Sequence, residues 1–244
     1  MSIGGATTLT GILGWPVSHS LSPAMHNAAF AALGLDWAYV PLPTSPEHLG
    51  DAVRGLVAAG FAGANVTIPH KTAVIDLCDE VEEVARHAES VNTLVLRDGR
   101  VFGSSTDVIA IEGAIEGTAG AALVLGRGGS AKAAVAALRL HGLDVTVASR
   151  SDPVWPPDAA GYDVVVNATP LKDDPLITAS AAQVLVDLPY NADGTSTAFA
   201  AAGHVAGARV VDGLEILLHQ GAASFERWTG RGAPLDAMWA VLRA

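Results

Sequence analysis

Five short stretches of this chain concentrate groups that can bind or transfer charge. Gly14-Trp15-Pro16-Val17-Ser18-His19-Ser20-Leu21-Ser22-Pro23 sets three serines and a histidine beside turn prolines, ahead of a helical segment. Hydroxyls and helix-end N–H groups can hold a carboxylate without a full positive charge. An N-capped helix behind a polar loop would read the same way. Asn65-Val66-Thr67-Ile68-Pro69-His70-Lys71 places alternating polar groups on a strand end and a lysine beyond a proline. Asn92 sits in Ser90-Val91-Asn92-Thr93-Leu94, and Ser105-Thr106-Asp107 follows a turn. A lysine, a carboxylate, an amide and several hydroxyls could bind a polyhydroxylated ring and move a proton, although spacing alone leaves their convergence open.

The fifth stretch is a glycine turn. Ala121–Leu125 reads as an apolar strand that runs into Gly126-Arg127-Gly128-Gly129-Ser130-Ala131 and then a helix. Small residues at a G-x-G-x-x-A turn let the backbone approach a pyrophosphate, which the helix N-terminus attracts. A structural tight turn is the other reading. The next strand ends in Ala148-Ser149-Arg150-Ser151. An NAD site usually carries an acid there, to accept from the ribose hydroxyls. Ser149 is no acid, and Arg150 could attract a 2′-phosphate and donate paired hydrogen bonds to it. That favours NADP, unless Arg150 is a solvated surface residue.

These groups need elements to hold them. The chain has 244 residues, enough for one large domain or two small ones. Hydrophobic residues make up 50% and charged residues 16%, which excludes a disordered chain. The formal charge of −11 argues against a nucleic-acid partner, because phosphate backbones need clustered cations. Cys78 is the single cysteine, so no intrachain disulfide can form, and no metal site is expected. The uncharged stretch up to Leu35 is broken by Pro16, Pro23 and several polar residues. It reads as neither a membrane span nor a signal peptide, and a cytoplasmic protein is expected.

Strands are predicted over Thr8–Leu13, Trp37–Leu42 and Gly63–Ile68, with helices over Pro23–Leu33 and Pro46–Ala59. Val74–Ser90 reads as largely helical. Val91–Leu96 and Arg100–Phe102 flank Asp98-Gly99, a hairpin turn. Val108–Ile115 begins a helix. Beyond it, Ala121–Leu125, Ala131–His141, Asp144–Ala148, Tyr162–Asn167 and Gln183–Leu188 alternate as strands and a helix of a parallel sheet, and Asp212–Trp228 reads as a long helix.

From Gly14 to Gly230 the chain resembles the shikimate dehydrogenase family. The resemblance is carried by GWPVSHSLSPAMHN, NVTIPHK, SVNTL, STD, GRGGSA, NATP, DLPYN and DGLEILLHQGAASF. It implies that Ser20 and Ser22 hold a substrate carboxylate and that Thr67, Asn92, Asp107 and Gln220 surround ring hydroxyls. It implies Lys71 as the catalytic lysine, paired with Asp107. Tyr190 matches a substrate-side tyrosine, and Gly213 a backbone contact to nicotinamide. Asn167, Ala168 and Thr169 match the loop under the cofactor. The implied reaction is the reversible, NADPH-dependent reduction of 3-dehydroshikimate to shikimate. Relatives acting on quinate or an aminated shikimate analogue are the alternative, and a non-catalytic NADP-binding sensor is a further one.

The chain departs from the family pattern at Ser105 and Val108, around Arg150, after Thr169, and at Glu215-Ile216. The second basic residue usual after Arg150 is absent. Arg127 is cationic where the family commonly has a small residue, and it is a candidate to replace that missing base; a solvent-facing arginine is the other reading. The expected fold is two α/β domains. The first is a substrate-binding domain, 1–106, completed by C-terminal helices 213–244. The second is a Rossmann-like, doubly wound NADP-binding domain, 107–212. The active site is expected in the cleft between them, in a monomer or a homodimer.

Overall fold

The computed structural model describes residues 3–244. The chain divides into two units: one runs to Thr106 and resumes with Leu218–Ala244, and the other is Asp107–Leu217. The chain leaves and re-enters the first unit inside helices. The return falls at Leu218 rather than at residue 213.

The first unit begins with β1 (Thr8–Gly14), α1 (Ser22–Ala32), β2 (Trp37–Pro43), α2 (Leu49–Ala58) and β3 (Gly63–Val66). It continues with β4 (Glu80–Val81), α3 (Glu83–His87), β5 (Thr93–Arg97) and β6 (Arg100–Ser104). The sheet order is β2-β1-β3-β5-β6-β4. β1 runs parallel to β2 and β3, whereas β5 is antiparallel to both β3 and β6. Asp98 and Gly99 adopt positive φ, 54° and 74°, as the predicted hairpin turn requires. One apolar layer joins Leu13, Val53, Leu56, Ala64, Val66, Val74, Val91 and Leu94.

The largest difference from the sequence reading lies between residues 73 and 90. In place of one helix there is a short 3₁₀ turn (Ala73–Leu77), then β4, then α3. Long-range bonds to β6 decide this. The Val101 N–H donates to the Asp79 carboxylate (2.7 Å), Asp79 N–H to Val101 O (2.9 Å), and Glu82 N–H to Gly103 O (2.9 Å). Those backbone groups would otherwise have served a helix. Pro46–Ala59 likewise splits, into a 3₁₀ turn at Pro46–His48 and then α2.

α4 (Thr106–Ala114) leads into the second unit. There follow β7 (Ala121–Leu125), α5 (Gly129–Leu140), β8 (Asp144–Ala148), β9 (Val164–Asn167), β10 (Val184–Asp187), α6 (Ala198–Ala206) and β11 (Arg209–Val211). All five strands are parallel, in the order β11-β10-β9-β7-β8. The near-continuous apolar sequences of β7, β9 and β10 suit strands covered on both faces, and Val164, Val165, Val166, Leu185 and Val186 are fully buried. Sequence order reverses at β7, whose neighbours are β8 and β9. Open parallel sheets bind ligands outside the strand carboxyl ends at such a switch. α7 (Gly213–Thr229) and α8 (Leu235–Leu242) close the chain. Among the described residues, no helix is long and apolar enough to cross a membrane.

Candidate functional site

In the first unit the polar stretches meet at the carboxyl ends of parallel strands. Trp15 N–H donates to Ile68 O (3.0 Å), and Thr44 N–H to Gly14 O (3.0 Å). His70 Nε2 lies 2.7 Å from Thr44 O. A Cβ on Gly14 would run into Thr67 Cγ2, so only glycine lets the two loops pass this closely. The Val91 N–H donates to Lys71 O (2.8 Å), which fixes the Lys71 backbone beside the Asn92 segment.

Ser20 and Ser22 stand at the start of α1. The Ser22 N–H donates to Ser20 Oγ (3.2 Å), so that hydroxyl already serves the first helical turn while remaining part-exposed. Ser22 is buried. A hydroxyl has further bonding capacity, and helix-start N–H groups reinforce a site for an anion.

Beneath these loops lies a buried polar network. Asn92 Nδ2 donates to Thr106 Oγ1 (2.9 Å) and Gln220 Oε1 (3.2 Å), while Asn92 Oδ1 accepts from Thr106 N–H (2.7 Å). Asn65 Nδ2 donates to Asn92 O, Thr93 Oγ1 and Ser224 Oγ at 2.9–3.1 Å. The Tyr39 hydroxyl donates to Asn65 Oδ1 (2.8 Å). Ser224 Oγ also donates to Gln220 O (3.0 Å). Asn92 and Gln220, far apart in sequence, are thus brought together and locked. Lys71 and Asp107 are each 9% exposed. Asp107 directly follows Thr106, whose amide Asn92 holds.

The sequence reading missed Tyr39, Asn65 and Ser224 as the frame of this network, because only the returning α7 supplies Ser224. It also gave His26 no environment. His26 is fully buried, stacked on Tyr39 (4.5 Å, 12°) and close to Trp228 and Phe30. Neither ring nitrogen finds a hydrogen-bond partner. Burial drives its pKa down to about 3, outweighing the opposing influence of Asn65.

In the second unit the glycine turn sits at the end of β7. Gly126 has φ 118°, and a Cβ there would come within 2.9 Å of Ala168 O. A side chain is therefore excluded both by conformation and by the neighbouring loop. α5 starts at Gly129 with Gly128 as N-cap and no side chain capping it, and space around Gly128 is open. A helix N-terminus that opens beside small residues suits a pyrophosphate. Ser130 and Ala131 form the first turn of α5.

The Asn167–Thr169 loop faces this turn. Ala168 N–H donates to Leu125 O (2.9 Å). Asn167 is fully buried; its Oδ1 accepts from Thr169 N–H (3.0 Å) and Oγ1 (2.7 Å), and its Nδ2 donates to Asp187 Oδ1 (2.8 Å). The Thr197 hydroxyl donates to the other Asp187 oxygen, and Thr197 Oγ1 accepts from Ala200 N–H to cap α6. Burial pushes the Asp187 pKa up to about 6, against the Thr197 and Asn167 hydrogen bonds and with help from Asp212. Asp187 and Thr197 were not singled out in the sequence, although both support the loop. Gly213 begins α7, where a Cβ would collide with Pro189 O, so the Pro189-Tyr190 segment lies against it. Lys172 Nζ stands 6.0 Å from the Tyr190 ring centroid.

At the tip of β8, Arg150 is exposed and Ser149 is buried. Residues 148–151 carry no acid, but the turn beyond them brings one to the tip. Asp152, which closes a turn with its N–H on Ser149 O (2.9 Å), accepts the Ser149 N–H (2.8 Å) through its carboxylate. The same carboxylate pairs with Arg127 at 2.8 Å, in an ion pair whose arginine side stays exposed to solvent.

Known proteins resemble this chain over nearly its whole length. Residues 12–94 match the family model for the shikimate dehydrogenase substrate binding domain, and residues 213–243 that for the shikimate 5'-dehydrogenase C-terminal domain. The chain is similar to the shikimate dehydrogenase (NADP(+)) of Gluconobacter oxydans strain 621H, at 40% identity over 93% of this chain and 92% of that one. It is also similar to a crystallised shikimate dehydrogenase in complex with NADP+, with TM-score 0.89 and 29% identity, covering 99% of this chain and 96% of that one. A third similar protein is the Thermus thermophilus shikimate 5-dehydrogenase in complex with NADP(H) and shikimate. There the TM-score is 0.85 and the identity 32%, covering 97% of this chain and 99% of that one.

Proposed function

The chain belongs to the shikimate dehydrogenase family, and on that premise we propose that it catalyses the reversible NADP-dependent reduction of 3-dehydroshikimate to shikimate. The observation that carries the reading is the locked Asn92–Gln220 amide pair at the strand ends that also carry Thr67 and Lys71. Such a cluster of amides and hydroxyls, with a lysine beside it, fits a ring bearing several hydroxyls.

In this reading Ser20 and Ser22 take the substrate carboxylate, while Thr67, Asn92, Gln220 and Tyr190 orient the ring. NADPH, when bound, would supply the hydride, with its pyrophosphate held by backbone N–H groups of the glycine turn, its adenosine end by Ser149 and Arg150, and its nicotinamide side by Asn167–Thr169 and Gly213. Hydride addition to a ketone leaves an alkoxide that needs a proton and local positive charge. Lys71 gives that proton, and Asp107 is the second group of the proton transfer. In the oxidative direction neutral Lys71 takes the hydroxyl proton. The acidic chain has no nucleic-acid partner in this reading and works in the cytoplasm as a monomer or a homodimer.

The test is absorbance at the reduced-nicotinamide band with shikimate and NADP, run beside quinate and an aminated shikimate analogue. Turnover of shikimate above the others supports the reading. Binding of NADP without turnover of any of them would leave the sensor.

A further inference from the structure

Three charged groups gather at the tip of β8, and their arrangement carries a consequence for cofactor choice. Arg127 comes from the glycine turn, Arg150 from the strand end, and Asp152 from the turn beyond it. Asp152 is held from both sides. Its N–H bonds Ser149 O, and its Oδ2 accepts the Ser149 N–H at 2.8 Å. Its carboxylate takes the Arg127 guanidinium through both oxygens, at 2.8 and 3.0 Å. The Asp152 side chain is 25% exposed and that of Arg127 56%. Arg150 is exposed and forms no ion pair among the described residues.

The tip of the strand after the glycine helix is where a dinucleotide's adenosine ribose is read. A 2′-phosphate there needs cations, whereas a free 2′-hydroxyl favours a nearby acid. Of the two arginines at this tip, one is already neutralised by a carboxylate fixed in the same turn. We propose that Asp152 is the residue that sets this chain's cofactor specificity, by sequestering Arg127 and so moderating the preference for a 2′-phosphorylated dinucleotide. The proposal rests on the reading of the glycine turn as a dinucleotide cradle. In it Arg150 alone answers the 2′-phosphate, and Arg127 becomes a second cation only when Asp152 loses its charge.

The test is calorimetric binding of 2′,5′-ADP and 5′-AMP, which differ only in the 2′-phosphate. Asp152→Asn keeps an acceptor for the Ser149 N–H, and Asp152→Ser is a shorter second variant should the first fold poorly. Each is expected to bind 2′,5′-ADP about fivefold more tightly, with 5′-AMP little changed, the size of one screened charge contact. Arg127→Ala alone should change neither affinity much, but combined with Asp152→Asn it should erase the gain. Arg150→Ala should weaken 2′,5′-ADP selectively. An unchanged ratio of the two affinities in both Asp152 variants overturns the proposal, as does a loss from Arg127→Ala alone as large as in the double variant. A wild-type chain that binds neither nucleotide overturns the cradle itself, a distinct failure.

Discussion

Replacing His26 with phenylalanine should flatten the acid side of the stability curve of the first unit. The imidazole is fully buried against Tyr39, Phe30 and Trp228, and its Nε2 faces Gly221 at a distance where a Cβ would sit 3.5 Å away. Its pKa of about 3 lies far below the ordinary 6.5. Between those values the unfolded chain binds the proton and the folded chain does not, so stability rises with pH across that window and is lost as pH falls. At pH 4.5 the unfolded state gains about 2.5 kcal/mol more from this one site than at pH 7. Phenylalanine keeps the ring stack and removes the titration, whatever its extra volume does to absolute stability.

The assay is urea unfolding of both proteins at the two pH values, followed by tryptophan fluorescence. Trp15, Trp37, Trp228 and Trp239 all report on the first unit, against Trp155 alone in the second. The wild type should lose about 2.5 kcal/mol more than His26→Phe between pH 7 and pH 4.5, the other titrations being common to both. Parallel losses in the two proteins would refute the reasoning.

Lys71→Ala should lower turnover about 10²–10⁴-fold while shikimate affinity changes less, and Lys71→Arg should not restore it, because guanidinium stays protonated; steady-state kinetics on folded variants decide. Ser20→Ala with Ser22→Ala should raise the Michaelis constant for shikimate, each lost bond to a carboxylate being worth roughly 1.5–3 kcal/mol, and leave that for NADP unchanged. Asp187 acts opposite to His26. Its pKa of about 6 stands above the ordinary 3.8, so the folded state holds the extra proton and stability rises as pH falls through that window. Hydrogen exchange of β9 and β10 amides should therefore slow from pH 6 to pH 4, once corrected for intrinsic rates. Asp187→Asn should abolish that pH dependence, which is worth about 3 kcal/mol in full.

Local signals were legible where local chemistry decides the structure. Asp98-Gly99 makes its turn through two positive φ angles, and the glycine turn follows its strand as spacing demands. α6 carries the same kind of signal, Thr197 as cap and Gly207 at φ 76°, but its alanine-rich interior hid it. The 73–90 segment was not legible, because partners on β6 outside the segment overrule its helical pattern. The same holds for the site. Lys71, Asp107 and the serines announce themselves by type, whereas Ser224 and Asp152 gain meaning only from what folding sets beside them.

The first unit's polar network has a consequence for synthesis. Asn65, Thr93 and Thr106 leave the ribosome well before Ser224 and Gln220, with the entire second unit translated in between. Until α7 emerges, the Asn65 amide lacks its Ser224 acceptor and the Leu94 carbonyl lacks the Trp228 indole N–H that later binds it at 2.9 Å. The parallel five-stranded sheet, contiguous in sequence, can close first. A released chain that ends at Leu217 should therefore resist protease over Asp107–Leu217 and be cut within the first hundred or so residues. Release of the last segment completes the half that was made first.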